Sequence, residues 1–323
     1  AKLDDSNGYV RQVVMKVSKA ALPHLVEATT ATCATPASSW GAAPTTLGEW
    51  TRPAALKPAA PLVAFLSGTW KAGQGGVSVP EELLRRTYDL LAPVGQKVLE
   101  GLVASIRGSE ASIKVLENVF EQERSGSLAK YRAQLDRVLK DPNCDEYLQA
   151  SKALNEKLAP RRAECKQTEA DFPTLIGHAQ KRKEQFDAFV KMLSSKTGGS
   201  AQAAPLKGPW RALEKMVLRP AHKAGGELDA SLLCDCLRGA LNCKDFTVIN
   251  SVVELMTWLD DEMGDESRCE GIERRFRIRI IRIKCRYSLP TSGGWADLLV
   301  NFRFLDDPSK HVCELQVSKE EAR

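Results

Sequence analysis

The sequence predicts an α+β protein in which an N-terminal all-α region precedes a mixed β-sheet domain flanked by helices. Apolar residues recur at helical spacing between 81 and 193. A stretch rich in Gly, Ser and Ala then interrupts this pattern at 194–206. Beyond that stretch, the patterns indicate elements in the order α-β-α-β-β-β, which is typical of an α+β domain with one mixed sheet.

These patterns divide the 323-residue chain into four parts. Residues 1–80 are weakly patterned and rich in Ala, Thr, Ser and Pro, so we expect them to be weakly structured and partly helical. Residues 81–193 are predicted to form a helical bundle or arm that begins after Pro80, because proline suits a first helical turn. Residues 194–206 have the composition of a linker, and residues 207–323 form the predicted sheet domain.

Composition and charge are those of an ordinary globular protein. Hydrophobic residues make up 43% of the chain, and the net charge of +5 is too small to argue alone for a nucleic-acid partner. Nine cysteines without a signal-peptide pattern predict reduced thiols and an intracellular, cytoplasmic protein. No apolar run approaches the roughly 18 residues of a membrane helix, so no membrane partner is expected. A start at Ala1 rather than Met is compatible with a fragment, which leaves an organelle open.

The elements of the sheet domain have individual signals. A helix is predicted at 208–218 and a strand at 237–243. Asp245 is a good N-cap for a helix that runs through Leu259, because its carboxylate can accept from unpaired backbone N–H groups of the first turn. Further strands are predicted at 276–287, 296–305 and 311–317.

The stretch FRIRIIRIKCRY at 276–287 alternates basic and apolar residues, and the alternation changes phase at Ile280-Ile281. A β-bulge at that point would keep every apolar residue on the inner face and every basic residue on the other. The basic face would then contain Arg275, Arg277, Arg279, Arg282, Lys284 and Arg286. A solvated face whose charges block edge pairing is the alternative to a binding surface.

The last two strands are predicted to form a hairpin whose register follows from their apolar residues. Leu298, Val300, Phe302 and Phe304 must share a face with Cys313, Leu315 and Val317. A turn at 306–309 satisfies this condition and sets Asn301 opposite Glu314. Glu314, Gln316, Asn301 and Arg303 then share the second face, where either polar chemistry or plain solvation fits the pattern.

Several short motifs together resemble RelA/SpoT-type alarmone synthetases. Cys313–Val317, which reads CELQV, resembles the Glu-x-Gln strand of that family. The segment PTSGGWADLL at 290–299 resembles its Pro-x-x-x-Gly-Tyr segment, with Trp295 at the aromatic position. KGPWRALEKM at 207–216 resembles the helix that meets ATP, and Asp235 falls where the family keeps its metal-binding Asp.

The resemblance, which covers 207–317, implies a nucleotidyltransferase-like synthetase fold. Such enzymes transfer pyrophosphate from ATP to the 3′-hydroxyl of GDP or GTP with Mg²⁺, so ATP, a guanine nucleotide and Mg²⁺ are the implied partners and cofactor. The implied catalytic residues are Glu314, Asp235 and Gln316, and the first two are also the implied metal ligands. The implied nucleotide contacts are Lys207, Lys215, Arg238, Trp295, Arg277, Arg279, Arg282, Asn301 and Arg303. The family's hydrolase half has no counterpart in this sequence, because no His is followed by Asp.

Departures from the family pattern keep other functions open. Ala240 stands five residues after Asp235, where family members carry Arg, and no basic residue follows Trp295 within its motif. The chain could therefore be an inactive synthetase-like fold that serves as a nucleotide-binding or protein-interaction module, with the helical region as the partner surface. RNA binding through the basic strand is a third, less favoured interpretation. Cys234, Cys236 and Cys243 lack the spacing and neighbouring His of a zinc site, so buried thiols are the favoured interpretation.

Overall fold

The computed structural model of the chain describes residues 81–107, 129–219, 223–224, 227–264, 266–291 and 294–320, together with positions 118 and 126. These residues belong to two compact units. Of the described residues, the first unit holds 81–107, 118, 171–177 and those that lie between 207 and 230, and the second unit holds the rest. The weakly structured region predicted for 1–80 lies outside the described residues.

Among the described elements, helices predominate in the first part of the chain and strands in the second. The helices are α1 (Glu81–Arg107), α2 (Cys144–Lys157), α3 (Phe172–Thr197), α4 (Pro209–Leu218) and α5 (Phe246–Trp258), and residues 129–138 are also helical. The strands are β1 (Ser200–Ala203), β2 (Lys223–Ala224), β3 (Glu227–Leu228), β4 (Arg238–Cys243), β5 (Ile278–Cys285), β6 (Leu298–Phe304) and β7 (Cys313–Lys319). The run α4-β4-α5-β5-β6-β7 confirms the predicted element order, although the two short strands β2 and β3 were not predicted.

The first unit is held together where α1 meets α4. Leu99 of α1 and Trp210, Leu213 and Val217 of α4 form a buried apolar cluster. The two helices approach so closely that a Cβ atom at Gly95 would overlap the side chains of Leu213 and Trp210. Burial of this apolar stripe, rather than helix propensity, therefore fixes the pairing of α1 with α4.

The second unit is built on a five-stranded mixed sheet with the strand order β1-β4-β7-β6-β5. Strands β4 and β7 run parallel, and the other neighbouring pairs are antiparallel. Helix α5 leads from β4 to the strands that follow it in the chain. Asp245 caps this helix as predicted, because its carboxylate accepts a hydrogen bond from the Val248 N–H at 2.9 Å. The mixed α+β sheet expected from the sequence is thus confirmed.

Aromatic side chains of α3 cover one face of this sheet. Phe186 and Phe189 pack on Phe302. Their ring centroids lie 6.0 Å and 5.2 Å, respectively, from the ring centroid of Phe302. A Cβ atom at Gly239 would lie 2.8 Å from the Phe186 ring, so glycine allows α3 to approach β4. The predicted register of the β6–β7 hairpin is confirmed, because Asn301 stands opposite Glu314 and the apolar residues share the α3 face.

The β-bulge predicted in β5 is present. Its pairing with β6 shifts register between Ile280 and Arg282, so that two residues of β5 stand opposite Asn301. Asp260 fixes this irregularity, because its fully buried carboxylate accepts from the Ile280 N–H at 2.7 Å. The Arg161 guanidinium in turn donates to Asp260 at 2.7 Å and to the Ile280 carbonyl at 2.7 Å. A buried ion pair thus satisfies the backbone groups that the bulge takes out of the ladder.

Two predictions for the second unit need correction. Ile281 is buried, but it packs in a small separate cluster with Cys234 and Val312 instead of joining the other isoleucines. It is the extra residue at the register shift, so the regular alternation of β5 does not fix its side. Residues 194–206, expected to be a linker, continue α3 to Thr197 and then form β1. Strand β1 pairs with β4 through its backbone, which small polar side chains do not prevent.

Candidate functional site on the polar sheet face

The sheet face opposite α3 carries the polar residues predicted for a site. Arg238, Glu314, Asn301 and Arg282 occupy one row across β4, β7, β6 and β5. Neighbouring strands are roughly 4.8 Å apart, so this row places Arg282 about 10 Å from Glu314 along the hydrogen-bonding direction. The next row contains Ala240, Gln316, Leu299 and Lys284. The structure therefore brings together the carboxylate, the two amides and three of the predicted basic residues.

Glu314 lies at the start of β7, half-buried, with Gln316 beside it. The Gln316 amide donates to the Glu314 carboxylate at 3.3 Å, and the Glu314 N–H donates to the Leu237 carbonyl at 3.0 Å. Asp235 lies in the turn that leads to β4, close in sequence to Arg238, the ladder partner of Glu314. Because β4 and β7 are parallel, Asp235 and Glu314 lie at the same end of that strand pair.

Two of the predicted nucleotide contacts are instead held by acidic residues. Glu164 accepts from Arg279 at 2.9 Å and from Arg303 at 3.0 Å. Arg279 also pairs with Asp261 at 3.0 Å and with Glu262. The hydrogen bonds from Arg279 outweigh partial burial and lower the pKa of Glu164. These two arginines are therefore part of a charge-compensated network that holds the 3-10 helix Ala159–Glu164 on the sheet.

Arg282 and Asn301 form a different kind of contact. The Arg282 guanidinium donates to the Asn301 side-chain oxygen at 2.7 and 3.1 Å. Asn301 is fully buried, and its amide donates to the Cys313 carbonyl at 3.3 Å. Since an amide carries no charge, this contact orients Arg282 without neutralising it.

Trp295, the predicted stacking residue, is tied to a buried carboxylate. Its indole N–H donates to Asp297 at 2.8 Å, and Arg286 pairs with the same Asp297 at 3.0 Å. Asp297 is fully buried and was not predicted from the sequence. It fixes both the indole and the guanidinium at the end of β5.

The remaining predicted contacts lie elsewhere. Lys207, which is buried, and Lys215, which is half-buried, belong to the first unit, whereas Glu314 and Asp235 belong to the second. Arg277 precedes β5 and is half-buried. Their proposed contact with a nucleotide stays a prediction.

A cavity of about 720 Å³ opens beside β5, between this strand and α2. Its lining includes the cationic residues Lys152, Arg162, Arg282, Lys284 and Arg286. Among the described residues that line it, none is Asp or Glu. Apolar walls come from Leu148, Ile283 and the exposed Leu289. A cavity of this size and charge suits a small anionic ligand that also has an apolar part.

Four of the five cavity cations have no acidic partner among the residues that the structure describes. Arg162 donates to the Asn155 amide oxygen at 3.0 Å, and Arg282 to that of Asn301. Within the described chain, no carboxylate forms an ion pair with these two arginines, Lys152 or Lys284. Partial burial, together with repulsion from Arg282 and Arg286, lowers the pKa of Lys284. An anion in the cavity would relieve this repulsion.

The sequence patterns did not predict the residues from other segments that pair with the basic strand or line the cavity beside it. Glu164 reaches Arg279 from 115 positions away in sequence, and Lys152 and Arg162 come from the helical region. One local signal was available: Asp260-Asp261-Glu262 is an acidic run shortly before the basic strand. An acidic run beside a basic strand is a reasonable indication of ion pairing.

The described residues contain neither a metal-holding cluster of side chains nor a membrane-spanning helix. No group of three or more His, Cys, Asp or Glu side chains able to hold a metal occurs among them. Mg²⁺ needs fewer protein ligands, because one or two carboxylates suffice when phosphates and water complete its shell. The role of Asp235 and Glu314 as such a pair of carboxylates stays a prediction. Within the described part of the chain, no helix has both the length and the apolar character of a membrane span.

Comparison with known proteins leaves the resemblance as a prediction. No protein-family model matches this chain, and no curated protein is significantly similar to it.

Proposed function

We propose that the second unit binds a nucleoside polyphosphate in the cavity beside β5 and transfers its pyrophosphate to the 3′-hydroxyl of GDP or GTP. The observation that carries this proposal is the set of cavity cations that have no acidic partner in the described part of the chain, namely Lys152, Arg162, Arg282 and Lys284. They lie next to the row that contains Asn301 and Glu314. The choice of pyrophosphate transfer as the reaction rests on the resemblance to RelA/SpoT-type synthetases, which is based on short motifs.

Binding follows from charge and shape. A triphosphate brings several negative charges, and four cations without carboxylate partners offer it charge-assisted hydrogen bonds. Leu148 and Leu289 offer an apolar surface to a base or ribose. Because Asn301 already orients Arg282, that guanidinium loses little side-chain entropy when a phosphate binds.

Transfer would use the carboxylate end of the same face. The acceptor 3′-oxygen attacks the β-phosphorus of ATP, the bond to the α-phosphate oxygen breaks, and AMP leaves. The hydroxyl proton passes to Glu314, whose carboxylate Gln316 orients by donating to it. Asp235 and Glu314 would hold Mg²⁺, which supplies neutralisation of phosphate charge.

Binding without transfer is the second candidate. Ala240 occupies the row next to Gln316, where family members place a cation near the carboxylate. The face thus has fewer phosphate ligands near Glu314 than the resemblance implies. A nucleotide-binding module needs the cavity but not a complete catalytic set. RNA binding has less support, because Arg279, Arg303 and Arg286 already pair with carboxylates.

The test uses the full chain with ATP, Mg²⁺ and GDP or GTP. AMP and pyrophosphate-extended guanosine are measured together with equilibrium binding of ATP. We expect Glu314→Gln to abolish product and retain ATP binding. The double variant Arg282→Gln with Lys284→Gln should weaken ATP binding by tenfold or more. Arg275→Gln is the matched control, since Arg275 precedes the same strand, is exposed and pairs with Glu273.

Each outcome has a definite meaning. ATP binding without product in the wild type would support the binding module and remove the transfer step. ATP binding that is equally strong in the double variant would place the nucleotide outside the cavity. Absence of both binding and product would overturn the proposal.

A further inference from the structure

Two thiols from distant parts of the second unit lie together near the polar sheet face. Cys165 follows the 3-10 helix Ala159–Glu164, and Cys234 lies in the turn before β4. Their sulfur atoms are 3.9 Å apart. The Cys234 thiol also approaches the Cys165 carbonyl oxygen at 3.6 Å. The pair therefore joins two segments that are 69 positions apart in sequence.

The two cysteines differ in access. Cys165 is half-buried and packs on the edge of the cluster formed by Cys234, Ile281 and Val312. Cys234 is buried, with 6% of its surface exposed. Such a pair has one thiol that solvent-borne reagents reach and one that can resolve the product, which is typical of redox-sensitive cysteines.

We propose that Cys165 and Cys234 form a redox-sensitive site that hydroperoxides oxidise to a reversible disulfide. Neither the nucleotide proposal nor the alarmone synthetase resemblance assigns a role to these cysteines. The inference is therefore independent of the proposed function.

The chemistry balances in two steps. The Cys165 thiolate attacks the terminal oxygen of the hydroperoxide, an S–O bond forms, the O–O bond breaks, and the alkoxide takes up a proton to leave as an alcohol. The Cys234 sulfur then attacks the Cys165 sulfenic acid, an S–S bond forms, and the hydroxyl leaves as water with the Cys234 proton. Two thiols are oxidised and one hydroperoxide is reduced. A dithiol reductant reverses the change.

Neighbouring groups favour the first step. The hydrogen bond between the Cys165 and Cys234 thiols lowers the pKa of Cys165 to about 7. Burial opposes this shift, Arg282 and Lys284 add to it, and Glu314 acts against it. The ordinary pKa of a cysteine is about 8.5. A larger fraction of Cys165 is therefore nucleophilic thiolate at neutral pH than of an unperturbed thiol.

The test oxidises the reduced full chain with a small excess of hydrogen peroxide and maps linked peptides without reduction. Trypsin should release residues 163–166 joined to 224–238. The second peptide also contains Cys236, so fragmentation between Cys234 and Cys236 assigns the bond. The expected product is a Cys165–Cys234 link that a dithiol reductant removes.

Variants make the test specific. Cys165→Ser should abolish the link, whereas Cys269→Ser should leave it unchanged. Cys269 is a suitable control because it is also half-buried, and its thiol donates to the Trp258 carbonyl. The wild-type chain alone keeps the test decisive if a variant folds poorly. Oxidation of Cys165 to sulfinic acid, or a link to another cysteine, would overturn the proposal.

Two further measurements distinguish this site from chance oxidation. The rate of disulfide formation should reach half its high-pH plateau near pH 7. Oxidation should also raise the urea midpoint of the wild type but not of Cys165→Ser, because the link closes a long loop in the unfolded chain. A rate that rises only above pH 8 would argue against the assisted Cys165 thiolate.

Discussion

The two ends of β5 carry the same alternation of basic and apolar residues but meet different surroundings. At the N-terminal end, Arg279 is surrounded by Glu164, Asp261 and Glu262. Beyond the bulge, Arg282 meets a neutral amide and Lys284 has no ion-pair partner in the described chain. The charges at the first end are therefore compensated, whereas no carboxylate of the described chain compensates Arg282 or Lys284 at the second end.

Basic residues that follow one another along a strand can therefore have different roles. The segment that supplies Glu164 is packed on one end of the strand, whereas the other end lines a cavity. An arginine with a carboxylate partner contributes to the fold, and an arginine held by an amide is oriented but still charged. Three perturbations should separate these roles.

The largest effect is expected from Asp260→Asn, which breaks the compensated end. Asp260 is fully buried and bonds to Arg161 and to the Ile280 N–H. Removing its charge leaves Arg161 buried without its main counter-ion, so we expect a loss of roughly 3–5 kcal/mol in the free energy of unfolding. Urea denaturation of the full chain, followed by circular dichroism, measures this change.

Asp261→Asn provides the control for that substitution. Asp261 is exposed and lies 3.7 Å from Arg161 and 3.0 Å from Arg279. An exposed pair contributes at most about 1 kcal/mol, so the two neighbouring substitutions should differ several-fold. Equal effects would show that Asp260 does not anchor the bulge.

An intermediate effect is expected from acid, through Glu164. Arg279 lowers the folded-state pKa of Glu164, so this group stabilises the fold above its unfolded pKa, near 4.3, and its contribution is lost as pH falls through the lower folded value. Glu164→Gln should cost roughly 1 kcal/mol at pH 7. The gap between wild type and variant should narrow below about pH 4, as urea midpoints across pH can show. A gap that stays constant down to pH 3 would contradict this account.

Local patterns predicted those features of the fold that depend on nearby residues. Alternation placed the bulge at Ile280-Ile281, the apolar pattern set Asn301 opposite Glu314, and Asp245 was recognised as an N-cap. The ion pairs that Glu164 forms with Arg279 and Arg303 could not be predicted, because tertiary packing brings Glu164 to the strand from a distant segment. Strand β1 was missed because its backbone pairs with β4 whatever its side chains are.

The smallest effect on stability, and the sharpest separation of the two ends, is expected from Lys284→Gln. Desolvation by neighbouring atoms, together with repulsion from Arg282 and Arg286, lowers the pKa of Lys284, although this side chain is exposed. Removing it should therefore leave the free energy of unfolding within about 0.5 kcal/mol of the wild type, or raise it slightly. ATP binding at low salt should nevertheless fall about fivefold, and the remaining binding should depend less on salt.

Lys196→Gln, on the exposed last turn of α3, is the control for loss of a surface lysine. If Lys284→Gln instead destabilised the chain as much as Glu164→Gln does, the basic residues at both ends of β5 would stabilise the fold. The proposal that the cavity binds a ligand through Lys284 would then be contradicted.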